Sequence, residues 1–184
     1  MIDLVAAFRS VVVALEATKV QYVVVGSTAA AAWGVARATR DVDLVAVMSS
    51  GEVDELLTRL DRQELYVPDD DARHAGRAGG SFNVLHFRSG GKVDVFVAMA
   101  TDEFAQSRLS RRVAADVLGV PSWVASPEDV VLAKLRWRLD SRSEVQWRDC
   151  VEIAATQHLD PEYIWLWAPR LGVSADLADL LAST

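Results

Sequence analysis

Two aspartates, Asp41 and Asp43, stand one residue apart inside an apolar run, DVDLVAV, that has the composition of a β-strand. Because successive side chains of a strand point to opposite faces, both carboxylates lie on one face and Val42 lies on the other. Two like charges side by side are unfavourable unless water or a cation neutralises them. Hard divalent ions such as Mg²⁺ are held by one or two carboxylates together with substrate phosphates. The pair therefore predicts a metal site that handles phosphate.

Two further features accompany this pair. Gly26 and Ser27 follow the apolar run QYVVV, where a strand ends and an Ala-rich helix begins, so backbone N–H groups there can receive phosphate oxygens. Asp94 lies in a later strand-like run, KVDVFV. Each feature alone is common, since Gly-Ser turns are frequent and acids often lie on the wet face of a half-exposed strand. The order of all three is the informative observation.

Hydrophobic periodicity predicts the elements that position these residues. Apolar residues at helical spacing indicate amphipathic helices, and short β-branched runs indicate strands. The predicted helices cover residues 3–18, 27–35 and 51–64, and the predicted strands cover residues 22–25, 41–47, 82–87 and 92–97. The last two strands flank a Ser-Gly-Gly turn and form a β-hairpin. Residues 69–81 hold three acids and three glycines without an apolar period, which predicts a mobile loop.

The composition changes near residue 126. The run SPED at 126–129 is a strong helix start, with a serine cap, a proline at the first helical position and an acid three residues after the cap. From there to residue 181 the chain is predicted to be helical. We therefore divide the chain into residues 1–125, which hold the sheet and the acids, and a C-terminal helical region, 126–184. The expected fold class is α/β (α+β), with a twisted mixed β-sheet flanked by helices.

Composition bounds the class of protein. The 184 residues are 51% hydrophobic, enough for one well-packed domain, and their net charge is −7. This acidity argues against a long nonspecific nucleic-acid footprint. Residues 108–148, however, hold eight Lys or Arg against five Asp or Glu, a local +3. That segment is either a basic flank that docks a compact RNA or an ordinary solvated helical surface.

Several other classes of protein and site are disfavoured. The longest uncharged run is too short and broken to cross a membrane, and the N-terminus lacks a basic secretory signal, so we expect a soluble cytoplasmic protein. The three histidines are scattered, which disfavours a zinc site, and Ser27 has no nearby histidine, which disfavours a serine hydrolase. Cys150 is predicted to fill the core. Core packing is also predicted for Trp137, Trp147 and Trp165, whereas Trp33 could line a nucleobase pocket.

Taken in order, four segments resemble the polymerase-beta-like nucleotidyltransferase superfamily. They are VVVGSTAAAAWGVARATRDVDLV, KVDVFV, SPEDVVLAKLRWR and QWRDCVEIA, and together they span most of residues 22–155. The resemblance is closest to its minimal bacterial branch, the AbiEii/AbiGii-type toxins of toxin–antitoxin systems. It implies the nucleotidyltransferase fold and the transfer of a nucleoside monophosphate from an NTP to RNA, typically a tRNA 3′ end. It also implies a cognate antitoxin as partner.

The resemblance assigns roles to individual residues. The two aspartates of the first strand would hold two Mg²⁺ ions that clamp an NTP, and the later aspartate would complete one metal site and help deprotonate the attacking hydroxyl. The implied catalytic and metal-binding residues are Asp41, Asp43 and Asp94, and the implied NTP-binding residues are Gly26, Ser27, Arg37, Thr39 and Lys134. Thr39 could in addition brace the turn into the metal strand.

Some of these roles have open alternatives. Arg37 either neutralises the acids or the triphosphate, or is a surface arginine. Lys134 either contacts the triphosphate or is a snorkelling lysine. Arg148 and Asp149 occupy the place of a basic-acidic motif of the family, with Glu152 as the later acid. Asp149 could position Lys134 or substrate, or merely pair with Arg148 or another helix.

The acceptor also has alternatives. The same chemistry could modify a protein hydroxyl or a small molecule such as an aminoglycoside or lincosamide antibiotic. A third reading is an inactive nucleotidyltransferase fold used as a binding module. The presence of all three acids argues against an inactive module, and the local +3 segment favours RNA.

Overall fold

A computed structural model describes residues 4–36 and 38–184. Among these residues the strands are β1 (Tyr22–Val25), β2 (Asp41–Val47), β3 (Leu65–Tyr66), β4 (Gly80–His86), β5 (Lys92–Ala98), β6 (Val113–Val117) and β7 (Val120–Val124). The helices are α1 (Leu4–Ala17), α2 (Gly26–Ala32), α3 (Ser50–Arg59), α4 (Asp69–Ala78), α5 (Glu103–Ser110), α6 (Pro127–Ser141), α7 (Glu144–Thr156), α8 (Pro161–Leu171) and α9 (Ser174–Ala182).

The strands of the described residues form one mixed sheet in the order β3-β4-β5-β2-β1-β7-β6. The pairs β2–β5 and β1–β7 are parallel, and the other neighbouring pairs are antiparallel. The predicted α/β architecture, a mixed sheet flanked by helices, is therefore confirmed, as is the hairpin formed by β4 and β5.

The centre of the sheet has two different faces. Val42, Leu44 and Ala46 of β2 are fully buried beneath α1, which packs against β2, β4 and β5. The alternate residues, Asp41 and Asp43 among them, point to the opposite face, as strand periodicity predicts. We call this opposite side of the sheet the acid face.

The helical region after β7 begins as the sequence predicts. Ser126 caps α6, since its hydroxyl accepts a hydrogen bond from the backbone N–H of Asp129, and Pro127 is the first helical residue. Helix α6 then packs against α2, α7 and α8. One hydrophobic core includes residues from the sheet and from these C-terminal helices.

The predicted mobile loop at residues 69–81 is wrong, because this segment forms α4 and the start of β4. Three acids in the first turn of α4 interact favourably with the positive end of the helix dipole. Its buried side consists of Ala72, Ala75 and Gly76. A Cβ on Gly76 would lie 2.8 Å from Cγ2 of Val53, so glycine lets α4 approach α3 closely. These three positions do have helical spacing, but alanine and glycine are much less apolar than the leucine and valine residues that identify the other helices.

The prediction of core tryptophans is partly wrong. Trp137 is 63% exposed and Trp165 is 41% exposed, whereas Trp147 is partly buried against the core. The inward sides of α6 and α8 are occupied by other residues, which leaves these two indoles on outward sides. Cys150 is fully buried, as predicted. Within the described parts of the chain, no helix has both the length and the apolar character needed to cross a bilayer.

Candidate active site

A cleft of about 490 Å³ lies between the acid face and helices α5 and α6. Its lining contains the three predicted acids, the Gly-Ser turn and the predicted lysine. The lining residues are Val25, Gly26, Ser27, Asp41, Asp43, Val45, Asp94, Phe96, Arg108, Ala125, Asp129, Val130, Ala133, Lys134, Trp137 and Gln146. The fold thus brings together residues that are up to 121 positions apart in the chain, from Val25 to Gln146.

The three acids meet because β2 and β5 pair in parallel. Asp43 is the register partner of Asp94, and both have Asp41 on the same face. The Asp94 side chain is only 15% exposed, and its Oδ1 is buried without a hydrogen-bond partner among the described residues. An unpaired buried carboxylate oxygen is unfavourable. Asp94 therefore offers an oxygen that a cation or a proton donor could satisfy.

Lys92 is a charged residue of this cluster that the sequence reading missed. Its Nζ lies 2.6 Å from Asp94 Oδ2 and 3.3 Å from Asp41 Oδ2. The hydrogen bond to Asp94 raises the pKa of Lys92, so the ammonium form is favoured. The sequence did contain a signal for Lys92: a residue two positions before Asp94 in the same strand must lie on the same face as Asp94.

Asp43 is the third carboxylate of the cluster, and its surroundings shift its pKa. Burial, followed by the charges of Asp41 and Asp94, raises the pKa of Asp43 to about 6. Lys92 and Lys134 act in the opposite direction but do not cancel the effect. The pKa of Asp43 thus reflects first its burial and second the two carboxylates beside it.

The chemistry of this donor set fits a divalent metal ion. Within residues 4–36 and 38–184, no three His, Cys, Asp or Glu side chains are arranged to hold a metal as they stand. Two of the acids instead direct oxygens at Lys92. Carboxylate oxygens are nevertheless the ligands that Mg²⁺ prefers, and both the raised pKa of Asp43 and the unpaired oxygen of Asp94 would be relieved by a cation.

The Gly-Ser turn lies directly against the acids. Gly26 has φ of +65°, a left-handed conformation that glycine adopts easily. A Cβ at this position would lie 2.0 Å from Asp43 Oδ2. Glycine is therefore required at position 26 for two reasons. Its backbone has positive φ, and the Asp43 carboxylate leaves no space for a Cβ.

Of the predicted NTP-binding residues Arg37 and Thr39, the structure describes Thr39. Thr39 is not in the lining of the cleft, but its hydroxyl donates to the backbone carbonyl of Asp41 at 2.9 Å and lies 3.1 Å from Asp41 Oδ1. This position suits a brace at the start of β2. Arg37 lies outside the described residues.

Lys134 is buried rather than snorkelling, since only 5% of its surface is exposed. Its Nζ donates to Asp149 Oδ2 at 2.8 Å and to Gln146 Oε1 at 2.9 Å. Of the alternatives for Asp149, pairing with Lys134 is thus observed. Arg148 is exposed and does not line the cleft. The Lys134–Asp149 ion pair joins α6 to α7 and holds the Lys134 ammonium in the same cleft as the three acids.

The cleft contains two more charged residues that the sequence reading did not assign to the site. The Arg108 guanidinium stacks 4.6 Å from the ring centroid of Phe104, and burial lowers its pKa. Asp129, read in the sequence only as a capping acid, is 1% exposed and accepts a hydrogen bond from the Tyr163 hydroxyl at 2.6 Å. Burial raises the pKa of Asp129. Trp33, in contrast, does not line the cleft; its indole N–H donates to the carbonyl of Ala125.

Comparison with protein families matches residues 3–160 to the family described as "Nucleotidyltransferase of unknown function (DUF6036)". The chain belongs to this nucleotidyltransferase family. The protein is therefore an enzyme of the class that transfers nucleotidyl groups, EC 2.7.7. The superfamily predicted from the sequence is confirmed. No curated protein sequence matches this nucleotidyltransferase.

Solved structures share the fold of this nucleotidyltransferase. An antigenic nucleotidyltransferase-like protein from Paracoccidioides brasiliensis has a TM-score of 0.56 and 19% identity, covering 94% of this chain and 90% of that one. ANT(2")-Ia in complex with adenylyl-2"-tobramycin has a TM-score of 0.60 and 14% identity, covering 91% and 96%. The lincomycin-bound lincosamide antibiotic adenylyltransferase LnuA has a TM-score of 0.53 and 12% identity, covering 83% and 97%. At these identities the likeness concerns the fold.

Proposed function

We propose that this nucleotidyltransferase transfers a nucleoside monophosphate from an NTP to an RNA acceptor, with a tRNA 3′ end as the expected acceptor and Mg²⁺ as the cofactor. We further propose that it acts as a toxin of the AbiEii/AbiGii type, held in check by a cognate antitoxin in the cytoplasm. The observation that carries the proposal is the cleft in which Asp41, Asp43 and Asp94 face the turn at Gly26.

Each acid has a part in this reaction. The acceptor hydroxyl attacks the α-phosphorus, the bond from that phosphorus to the bridging oxygen breaks, and pyrophosphate leaves. Asp94 would accept the hydroxyl proton, for which its unpaired Oδ1 is available. Asp41 and Asp43 would hold two Mg²⁺ ions, with Asp94 completing one site. When bound, the metal supplies positive charge to the attacking and leaving oxygens.

The triphosphate would lie at the β1 side of the acids. Gly26 and Ser27 line the cleft there, with backbone N–H groups available to phosphate oxygens. Lys134 would supply a positive charge that Asp149 and Gln146 hold in place. In this proposal residues 1–125 form the catalytic part of one cooperative unit, and the helical region 126–184 closes the cleft and contributes the lysine.

Charge supports RNA as the acceptor. The segment 108–148 carries a local +3 in an otherwise acidic chain, and Arg136, Arg142 and Arg148 of this segment are exposed near α6 and α7. An antibiotic is the second candidate acceptor, because two structural neighbours are an adenylyltransferase of lincosamides and a protein bound to adenylyl-2"-tobramycin.

Labelled NTPs distinguish these acceptors. The protein is incubated with Mg²⁺, each α-labelled NTP in turn, and total RNA plus protein from cells, with Asp43→Ala in parallel. We expect label in a tRNA-sized band for wild type and none for the variant. Label in protein would identify a protein acceptor instead of RNA. A parallel reaction contains an aminoglycoside or a lincosamide, and label found only in that antibiotic would identify it as the acceptor. Growth arrest on expression of wild type but not Asp43→Ala is expected of a toxin; unchanged growth would contradict that role.

A further inference from the structure

The acid face continues beyond the catalytic acids onto the outer strands β3, β4 and β5. Asn83 of β4 is the register partner of Asp94, and Leu85 is the register partner of Lys92. Partners across a sheet share a face, so the outer strands extend the surface on which the acids lie. We call this extension the outer face; its residues are Tyr66, Ser81, Asn83, Leu85 and Phe96.

The outer face is exposed to solvent, although it includes large aromatic side chains. Tyr66 is 50% exposed and Phe96 is 37% exposed, and Ser81 and Asn83 are also exposed. On the opposite face of β4, by contrast, Phe82 and Val84 are buried. Phe96 lines the cleft, and Tyr66 lies on the same face two strands further out, so exposed aromatic residues extend from the cleft across this face.

The direction of the reaction identifies the occupant of this surface. The order of strands is β4-β5-β2-β1, with the acids on β5 and β2 and the Gly-Ser turn after β1. If the triphosphate lies at the turn, pyrophosphate leaves on the β1 side. The attacking hydroxyl must then approach in line from the opposite side, which is the outer face. Phe96 links the two regions, because it also lines the cleft beside Asp94.

The chemistry of the outer face selects a class of acceptor. Its five residues carry no formal charge, so the outer face itself offers no carboxylate to a polycationic aminoglycoside. Aromatic rings stack with nucleobases, and an amide such as Asn83 can read the edge of an unstacked base. Arg40 and Arg88 are exposed at the edge where β2 begins and β4 ends, where they can contact phosphates.

We propose that the outer face is the acceptor site and that it binds the single-stranded 3′ end of RNA by stacking bases on Tyr66 and Phe96. The inference rests on the proposed nucleotidyl transfer to RNA. It adds the surface, the strandedness of the acceptor and the residues that recognise it.

Kinetics of aromatic variants test this proposal. Tyr66→Ala and Phe96→Ala are compared with the conservative Tyr66→Phe and Phe96→Tyr, and with Trp165→Ala, which removes an exposed aromatic residue from α8 that does not line the cleft. The alanine variants should raise the KM for RNA roughly 10-fold each, the loss expected for one stacked base. The conservative variants and Trp165→Ala should retain the wild-type KM for RNA. NTP binding should be unchanged in the variants of Tyr66 and Trp165, which do not line the cleft.

A second measurement detects contact directly. An RNA oligonucleotide with 4-thiouridine in a single-stranded 3′ end is irradiated on the protein, and we expect crosslinked peptides containing residue 66 or 96. Transfer to RNA with an unchanged KM in both alanine variants would overturn the outer face as acceptor site and leave the proposed function intact. NTP binding with transfer only to protein or antibiotic would overturn both, as would a wild type that binds no NTP. A fully paired RNA end that reacts equally well would overturn the single-stranded preference.

Discussion

The acids of the cleft are mutually unfavourable before any ligand binds. Asp43 is buried beside two other carboxylates, and the ammonium group of Lys92 neutralises only part of this charge. Groups arranged for catalysis are commonly destabilising in the empty protein, because they are placed to meet a charged substrate rather than each other. Two predictions follow from individual residues of this cluster.

Asp43→Asn should stabilise the metal-free protein at pH 8 while abolishing nucleotidyl transfer. The pKa of Asp43 is about 6 in the folded protein and near 4 in an unfolded chain, so wild type loses stability as the pH rises from about 4 to above 6. One pKa unit corresponds to about 1.4 kcal/mol, and partial solvation reduces the total, so we expect a gain of about 1 to 2 kcal/mol.

Urea unfolding of both proteins with a chelator, at pH 4 and pH 8, measures this difference. The gain in the free energy of unfolding should be present at pH 8 and nearly absent at pH 4. Equal stability of the two proteins at pH 8 would show that Asp43 is well solvated.

Lys92→Met should increase the affinity of the nucleotide-free protein for Mn²⁺. The Lys92 ammonium contacts oxygens of Asp41 and Asp94, so it competes with a metal for the same ligands. Removal of a unit charge at this distance should tighten binding by about tenfold, or about 1.4 kcal/mol. Isothermal titration calorimetry measures the Kd. Arg88→Met is the control, because it removes an exposed positive charge at the same edge; equal Kd values for the two variants would contradict competition by Lys92.

At the scale of elements, the site depends on how β1 turns into α2. Gly26 begins the helix with positive φ, and its missing side chain leaves room for the Asp43 carboxylate of the neighbouring strand. The Gly26 turn and β2 are thus fitted to each other. A change in one must displace the other.

Gly26→Ala should abolish transfer and lower stability by about 1 to 3 kcal/mol. The new Cβ would lie 2.0 Å from Asp43 Oδ2, and alanine is strained at φ of +65°. Gly51→Ala is the matched control, because no atom lies within 4 Å of its Cβ and the residue is in α3. That variant should keep full activity and gain at most about 0.5 kcal/mol, because Gly51 lies in the first turn of α3 rather than in its middle. Thermal unfolding and the NTP transfer assay measure both; an active Gly26→Ala enzyme would show that the turn can move away from Asp43.

At the scale of the whole molecule, the C-terminal helices are connected to the sheet by polar contacts as well as by the core. Trp33 after α2 donates its indole N–H to Ala125 at 2.8 Å and accepts from Gln157 at its backbone carbonyl. Glu128 in α6 pairs with Arg111 and accepts from the backbone N–H of Asp160. Lys134 of α6 lines the cleft and pairs with Asp149 of α7, so these helices also contribute to the lining of the candidate site.

The full chain should therefore unfold in a single cooperative transition, and a fragment of residues 1–125 should not fold stably. The fragment would expose the apolar residues that α6 covers and would lose the Lys134–Asp149 pair. Circular dichroism and calorimetry of the full chain and the fragment test this expectation. Two separate transitions would show that 126–184 is an independent domain.

The sequence alone determined the local features of this enzyme. Strand alternation placed Asp41 and Asp43 on one face, and the capping residues at 126–129 fixed the start of α6, because both depend only on neighbours in the chain. The helix in segment 69–81 was not predicted, because its inward side has helical spacing but consists only of alanine and glycine, which are weakly apolar.

Tertiary structure decided which of these local features meet. The parallel register of β2 and β5 places Asp43 beside Asp94, and the packing of α6 on α7 places Lys134 beside Asp149. No local sequence pattern predicts either pairing, because each depends on contacts between segments that are distant in sequence. The same holds for the outer face: alternation predicts which side a residue faces, but only the packed molecule determines whether a helix covers that side.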